Sequence, residues 1–454
     1  MKITDEYGNK YTIDAPLSAG GQGAVFKVDE NHKLLVKAII NANNKIIKNE
    51  KKYNEFEENV LQVIALGDIK NIAKPLCLLE KPNCGYIMRL MENMSAIEAI
   101  MLPREMKSEL SKHFIITGGL KKRLLVLKSI AGTLNELYKK GIVYSDISPK
   151  NIFISNDVDS HEAWLIDVDN MHYETDEASC IGTPSYMAPE VYMGNKNTLK
   201  SDVYSFALLA YELLTYSKPF EGKAMLESDE DDWGDEWSDE SLSFDEKAAR
   251  GLLPWVLQAN DKTNERIKGY GIPPEAVMTP AMLALFDMTF NSGRNQPSKR
   301  PTISQWYHAI TEACDSVLEH TLENGEVHTY IGNTCFLCNQ KSDYYIAKSY
   351  YVSEFDGAEF EEPAYQQEFV CKKGEIKGLS NHLLMDNSDK YTYSILTIQE
   401  KKDGSININS KLEELKIALQ DAKAKNIENI IINVKQKNKI SRRIRFEKEV
   451  ANGI

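Results

Sequence analysis

Two carboxylates and a carboxamide form the first candidate site. Asp146 lies in the run Tyr144-Ser145-Asp146-Ile147-Ser148-Pro149-Lys150-Asn151, and a second run, Ile166-Asp167-Val168-Asp169, begins fifteen residues after Asn151. One acid, Asp146, can orient a hydroxyl, while the amide of Asn151 and the second acid, Asp167, can hold Mg²⁺ on a triphosphate. Neither half specifies that chemistry alone; both together, in this order, suit phosphoryl transfer.

Other residues upstream suit the same task. Leu17-Ser18-Ala19-Gly20-Gly21-Gln22-Gly23-Ala24-Val25 sits between two runs of strand character, and glycines there let a hairpin lie close over phosphates. Lys37 follows fourteen residues after Gly23, inside the apolar run Leu34–Ile39. A lysine in such a strand must bury its charge or find anions. Taken singly, the loop reads as an ordinary hairpin turn and Lys37 as an edge-strand lysine with a solvated head.

The elements that must position these groups follow from periodicity. Residues 10–40 alternate as a β-meander, 45–66 reads as a helix with Ile46, Tyr53, Phe56, Val60, Leu61 and Ile64 near one face, and strands are expected around Leu76–Leu79 and Tyr86–Leu90. From about 120 the spacing turns helical, through Leu124, Leu127, Ile130, Ala131, Leu134 and Leu137, with Gly141 placed as a C-cap. Further helices are expected from Asp202 to Leu213, after Thr279-Pro280, and over Ser304–Val317. Beyond 340, Tyr391–Ile398 and Ile430–Val434 have strand character and Lys411–Lys423 helical character; there is no internal repeat and no long linker.

With these pieces in order, the chain resembles a eukaryotic-like Ser/Thr protein kinase over about residues 10–315. The resemblance rests on the glycine loop, Lys37, the Y-S-D-I-S-P-K-N loop, I-D-V-D, G-T-P-S-Y-M-A-P-E (182–190), S-D-V-Y-S-F-A (201–207) and R-P-T (300–302). Residues 249–310 look like a bacterial subgroup found with phosphatase or tellurite-resistance-type partners. The implied fold is α+β and bilobal: residues 1–92 as a β-rich N-lobe and 93–318 as a helical C-lobe. A knuckle (319–340) and an α+β accessory module (341–454) would follow. The implied cofactors are ATP and Mg²⁺, with Mn²⁺ as an alternative metal, and the implied partners are protein substrates and a cognate phosphatase.

Carried over by position, Lys37 would contact the α/β-phosphates and pair with a helix glutamate. Glu57 is the first choice for that partner, with Glu58 and Glu50 as alternatives. Ser18, Gly20, Gly21, Gly23 and Val25 would cover the nucleotide; Met88 would back the adenine pocket, with the Arg89 and Met91 backbone reading the base. Asp146 would act on the acceptor hydroxyl, Asn151 and Asp167 on the metal, and Asp202 would brace the catalytic loop. Glu190 and Arg300 would form a buried ion pair, and Thr183 would favour Ser/Thr acceptors.

Four departures stand out. Ser18 replaces a loop glycine, and Tyr144-Ser145 replaces His-Arg, so no arginine precedes Asp146 to hold an activation-segment phosphate. Activity independent of phosphorylation at Thr175 or Ser179 is therefore expected. Ser148 stands where a lysine usually neutralises the transferring group, which implies slower chemistry. Val168 and Asp169 replace Phe and Gly of Asp-Phe-Gly, removing backbone freedom. An autophosphorylating Ser/Thr protein kinase is the leading reading; a nucleotide-binding pseudokinase scaffold and a small-molecule kinase are the alternatives.

Outside the kinase-like region, His320, His328, Cys335 and Cys338 provide two imidazoles and two thiols within nineteen residues, a set able to close a structural Zn²⁺ site. Cys314 is an alternative ligand, and a reduced Cys pair with surface histidines is the plain reading. Related bacterial kinases carry a comparable knuckle, with cysteine expected at 320. The net charge of −13 is mostly local: residues 227–246 hold eleven Asp or Glu and no Lys or Arg. That insert reads as a solvated loop or, with Trp233 and Trp237 as anchors, as a docking element for a basic partner. Residues 435–448 hold seven Lys or Arg, but without interleaved aromatics nucleic-acid binding is not expected. No apolar run approaches the roughly 20 residues that span a bilayer. The N-terminus lacks a secretory pattern, and seven cysteines are too few and odd in number for a disulfide framework. A cytoplasmic protein without membrane partners is expected.

Overall fold

A computed structural model describes residues 1–450 except 21–22, 44, 68, 178–179, 231–241, 387–392, 404, 411–415, 421–426 and 437–438. Gly21, Trp233, Trp237 and Ser179 therefore lie outside the described residues. The chain divides into two compact units: Met1–Ser108, Val126–Gly271 and Ala284–Tyr307 form the first, and Glu109–Leu125, Ile272–Leu283 and His308–Ile454 the second. Among the described residues no helix is long and apolar enough to cross a membrane.

The first unit opens with the expected alternation. Strands β1 (Lys2–Thr4), β2 (Lys10–Gly20), β3 (Gly23–Val28), β4 (Leu34–Ala38), β5 (Pro75–Leu78) and β6 (Gly85–Arg89) form one antiparallel sheet in the order β1-β2-β3-β4-β6-β5. Ile13, Phe26, Val28, Val36 and Ile87 build a core on it. Helix α1 (Glu50–Ala65) begins at Asn49, whose side chain accepts from the Lys52 amide at 3.0 Å, a cap worth about 1 kcal/mol. Phe56, Val60 and Ile64 pack on Leu78, Tyr86 and Met88. Leu61, expected on that face, is 46% exposed, because it follows Val60 by about 100° around the helix axis.

The helical part of the same unit is built around Leu199–Thr215, capped by a reciprocal Thr198/Ser201 box and buried nearly all round. Its Tyr204, Phe206 and Tyr211 meet Trp255, Phe286, Phe290 and Trp306 edge to face. From Val126 onward, the helix Gly119–Lys139 belongs to this unit and buries Leu127, Ile130, Ala131, Leu134 and Leu137. It ends as expected at Gly141, whose φ of 70° is left-handed.

In the second unit, strands dominate. A hairpin pairs Leu318–Thr321 with Val327–Tyr330. A five-stranded sheet runs in the order Ala358–Phe369, Tyr344–Phe355, Lys439–Glu449, Ile431–Gln436, Lys416–Gln420. The helix expected over 411–423 is instead this last strand over its described residues. Antiparallel pairing with Ile431–Gln436, whose Ile432 and Val434 are buried, overrides the local helical character. The basic stretch is also explained: Arg443 and Arg445 both bind Glu361, each at 2.5 Å, and the Arg442 guanidinium lies 3.8 Å from the Tyr351 ring centre.

Within this unit Asp315 gathers donors from afar, accepting the Tyr365 hydroxyl at 2.7 Å and the Ser380 hydroxyl. Glu312, one turn earlier, has no such donor among the described residues. Burial, then the nearby Glu368 and Asp315 carboxylates, push its carboxyl up to about 7. The folded state thus favours the protonated form, so its contribution is intact below the ordinary Glu range and is lost as pH rises through about 7. Glu312→Gln should raise Tm at pH 8 on the order of 2–4 °C and leave it unchanged at about pH 4, below the ordinary Glu range, as read by calorimetry at both pH values.

Candidate active site

The catalytic-loop residues are placed by backbone bonds to a buried acid. Asp202, 2% exposed, accepts the Tyr144 amide at 2.6 Å and the Ser145 amide at 3.0 Å. This fixes the chain just before Asp146, where Ser145 takes a positive φ of 81°, a conformation that non-glycine residues hold only under constraint. Burial first, with Asp146 and Glu174 adding to it, raises the Asp202 carboxyl to about 7, against the two amide bonds that lower it. Asp146 then faces two partners. Its Oδ2 accepts the Asn151 amide at 2.9 Å, and its Oδ1 accepts both the hydroxyl and the amide of Thr183 at 2.9 Å.

Tyr144, where His was expected from the resemblance, is buried, and its hydroxyl donates to the Ile166 carbonyl. It also reaches the Asn151 carbonyl at 3.2 Å. One phenol therefore ties the loop carrying Asn151 to the strand end carrying Asp167. Asp167 sits in the left-handed region, φ 58°. The structure thus brings Asp146, Asn151 and Asp167 together as the sequence led one to expect.

Lys37 joins them. Its ammonium bonds to Asp167 and, at 2.5 Å, to Asp169 Oδ2. Burial works against the charge, but Asp169 and Asp167 outweigh it and hold the ammonium above the usual lysine range. For Asp167, burial comes first in pushing its carboxyl up; Lys37 opposes this while Asp169 and Asp146 add to it. One ammonium cannot neutralise two carboxylates beside a third. The cluster keeps a surplus of negative charge of the kind a divalent cation relieves.

Glu57 is not the partner of Lys37. Its carboxylate binds Lys81 at 3.0 Å. The register of α1 turns Phe56 inward, stacked on Tyr86 at 6.0 Å between ring centres, and leaves Glu57 on the flank. The glycine loop fits its expected place: Ser18 pairs with Val25 and Gly20 with Gly23, and Val25 lies opposite Lys37. A Cβ at Gly23, φ 132°, would meet the Ala38 carbonyl oxygen at 2.6 Å, so only glycine fits. Met88 is half-buried against Leu78 and Tyr86, Arg89 is exposed at the end of β6, and Met91 follows it half-buried.

The segment after Asp169 is tied to the catalytic loop by side-chain hydrogen bonds. Asn197, 3% exposed, donates to the Ser145 and Ile181 carbonyls, both at 2.9 Å, and accepts the Ile181 amide at 3.0 Å. Ser145, in the arginine position, bonds the Asn170 carbonyl at 3.1 Å and His172 Nδ1 at 3.2 Å. Asn197 carried no motif in the sequence. Tyr86 and Asp169 were legible only as a tyrosine in a strand and an acid in place of glycine.

In the second unit, His320, His328, Cys335 and Cys338 converge, with ligand atoms all within 4.8 Å of one another. Cys338 Sγ lies 3.2 Å from His320 Nε2, and Cys335 Sγ lies 3.6 Å from His328 Nδ1. His328 Nε2 is 2.6 Å from Glu326, a carboxylate the sequence reading did not single out. Asn339 adopts φ 59°, the left-handed turn expected after the second cysteine.

Comparison with known proteins agrees with this geometry. Residues 11–309 match the protein kinase domain, and the chain belongs to that family. It is similar to the serine/threonine-protein kinase pkn2 of Myxococcus xanthus, 26% identical over 227 residues, which is 47% of this chain and 25% of that protein. It is also similar to the serine/threonine-protein kinase PknL of Mycobacterium tuberculosis, 36% identical over 103 residues, 22% of this chain and 26% of that one. Calcium-dependent protein kinase 6 of Plasmodium berghei is 29% identical over 214 residues, covering 45% of this chain and 13% of its own length. The chain thus spans about a quarter of the first two relatives and less of the third.

The Glu190–Arg300 pair holds the end of the activation segment. Arg300 Nη1 and Nη2 meet the two Glu190 oxygens at 2.6 and 2.7 Å, and the Arg300 side chain is fully buried. Glu190→Ala would strand that guanidinium, and urea unfolding should show a loss on the order of 3–5 kcal/mol, whereas Lys112→Ala, at an exposed pair, should cost under about 1 kcal/mol.

Proposed function

We propose that the chain is an ATP- and Mg²⁺-dependent Ser/Thr protein kinase of bacterial type. The observation that carries this is the convergence of Lys37, Asp146, Asn151 and Asp167 around one cluster of surplus negative charge, beside a hairpin that only glycine at position 23 allows. The residues suit the absent groups: Asn151 and Asp167 are oxygen donors fit for Mg²⁺, and Lys37 suits phosphate oxygens. The buried Ser148 hydroxyl has no partner among the described residues and could meet a further polar group. When bound, the metal would supply charge neutralisation on the triphosphate. Asp146 would orient the acceptor hydroxyl and accept its proton, and Thr183, already bonded to Asp146, would help hold that carboxylate.

Protein substrates, autophosphorylation, a phosphatase partner and a cytoplasmic setting belong to the same proposal. The similarity to the serine/threonine-protein kinases pkn2 and PknL supports the choice of protein substrates. The test is labelled ATP with the purified chain. Wild type should label itself or a protein acceptor, and Asp146→Ala should lose at least roughly a hundredfold. Binding without transfer would mark a scaffold, and transfer to small amines or alcohols a small-molecule kinase; either result rejects the proposal. Because Asn197 clamps Ile181 to Ser145, Thr175→Ala/Ser179→Ala should stay within about twofold of wild type, while Asn197→Leu should lose roughly tenfold in kcat. Loss of activity in the double alanine chain would contradict phosphate-independent activation.

We also propose that His320 Nε2, His328 Nδ1, Cys335 and Cys338 hold a structural Zn²⁺. Two thiolates and two imidazoles make the donor set, and Glu326 would fix the tautomer of His328. Purified chain should carry zinc at about one ion per molecule by elemental analysis. Cys335→Ser should lose it and lower Tm; a metal-free chain with wild-type Tm would rule the site out.

A further inference from the structure

A lysine one residue from the end of β4, its side chain 11% exposed, cannot leave its ammonium to bulk water. Some carboxylate must aim it. The geometry points to Asp169 as the residue that positions Lys37 toward the nucleotide, in the role expected of Glu57. This rests on the kinase reading above and deepens it.

Three observations converge. Asp169 Oδ2 is 2.5 Å from Lys37 Nζ, and its Oδ1 accepts the Tyr86 hydroxyl at 2.7 Å. Tyr86 is 1% exposed, lies directly opposite Lys37 in the β4–β6 register, and is stacked on Phe56 of α1. The carboxylate is therefore fixed by one oxygen and free to direct the lysine with the other. Glu57 is engaged with Lys81, and it is the neighbouring Phe56 that turns inward onto Tyr86.

Asp167 also touches Lys37, but it is the carboxylate suited to the metal. Asp169 is held on the lysine side by Tyr86 and is the group left to keep Lys37 in place. The acid that replaces glycine after Asp167 thus takes over a task that a helix glutamate would otherwise perform. In this chain the lysine's orientation is set by the segment following the metal-binding acid, and a change in the flank of α1 at Glu57 does not break it.

A ligand-free thermal cycle tests the contact directly. Asp169→Asn leaves Lys37 with Asp167 alone and should lower Tm by about 1–3 °C, and combining it with Lys37→Met should cost clearly less than the sum of the two single losses, since both changes break the same bond. Glu57→Gln, alone or with Lys37→Met, should show no coupling. Titration calorimetry with ADP in the absence of added metal gives the second readout. Affinity should fall roughly tenfold in Asp169→Asn, less in Tyr86→Phe, which removes only the phenol oxygen, and not at all in Glu57→Gln. Wild-type chain that binds no ADP either without metal or with Mg²⁺ added would overturn the kinase reading and the nucleotide role with it. Wild-type chain that binds ADP while Glu57→Gln, not Asp169→Asn, loses both coupling and affinity would overturn this inference alone.

Discussion

One ammonium set against two carboxylates is the constraint on which the active site depends. Lys37 comes from the strand-rich part of the first unit, and Asp167 and Asp169 from the segment that follows the catalytic loop. Their contact is possible only because β4 carries the lysine opposite Tyr86 and because Tyr144 pins the Asp167 segment to the Asn151 loop. The deficit of positive charge is a stored electrostatic demand. Asp202, Arg300 and the aromatic packing around Leu199–Thr215 hold the flanking backbone in place.

Much of this was legible in the residues. Asp146, Asn151 and Asp167 stand out because a phosphate-and-metal site would need hard oxygen donors at fixed loop positions, and the structure places Asn151 on Asp146 and Lys37 on Asp167. Lys37 does so because a charge in an apolar strand must have a reason. Glycine at 23 is forced by a carbonyl that a side chain would strike. The strands of the N-terminal sheet and the helix ending at Gly141 were likewise readable from period and cap.

What escaped the sequence depends on register and on distant partners. Glu57 and Phe56 are adjacent, and a rotation of one residue decides which of them faces Tyr86. Asn197 makes three bonds that no local pattern encodes. The strand Lys416–Gln420 exists through its pairing, so its composition alone read as helix. Glu326 lies two residues from His328, and only the hairpin brings its carboxylate to the imidazole.

The five-stranded sheet of the second unit has one further consequence. Its outermost strand, Ala358–Phe369, carries Glu359 and Glu361, which reach across Tyr344–Phe355 to Arg443 and Arg445, and it contains Pro363 at a register shift. A proline removes one donor from that border, and the bulge twists it out of line. Arginine–glutamate clamps therefore consolidate the sheet inward while its rim is ill suited to recruit another extended polypeptide, an arrangement that guards against fibril-like stacking of neighbouring molecules.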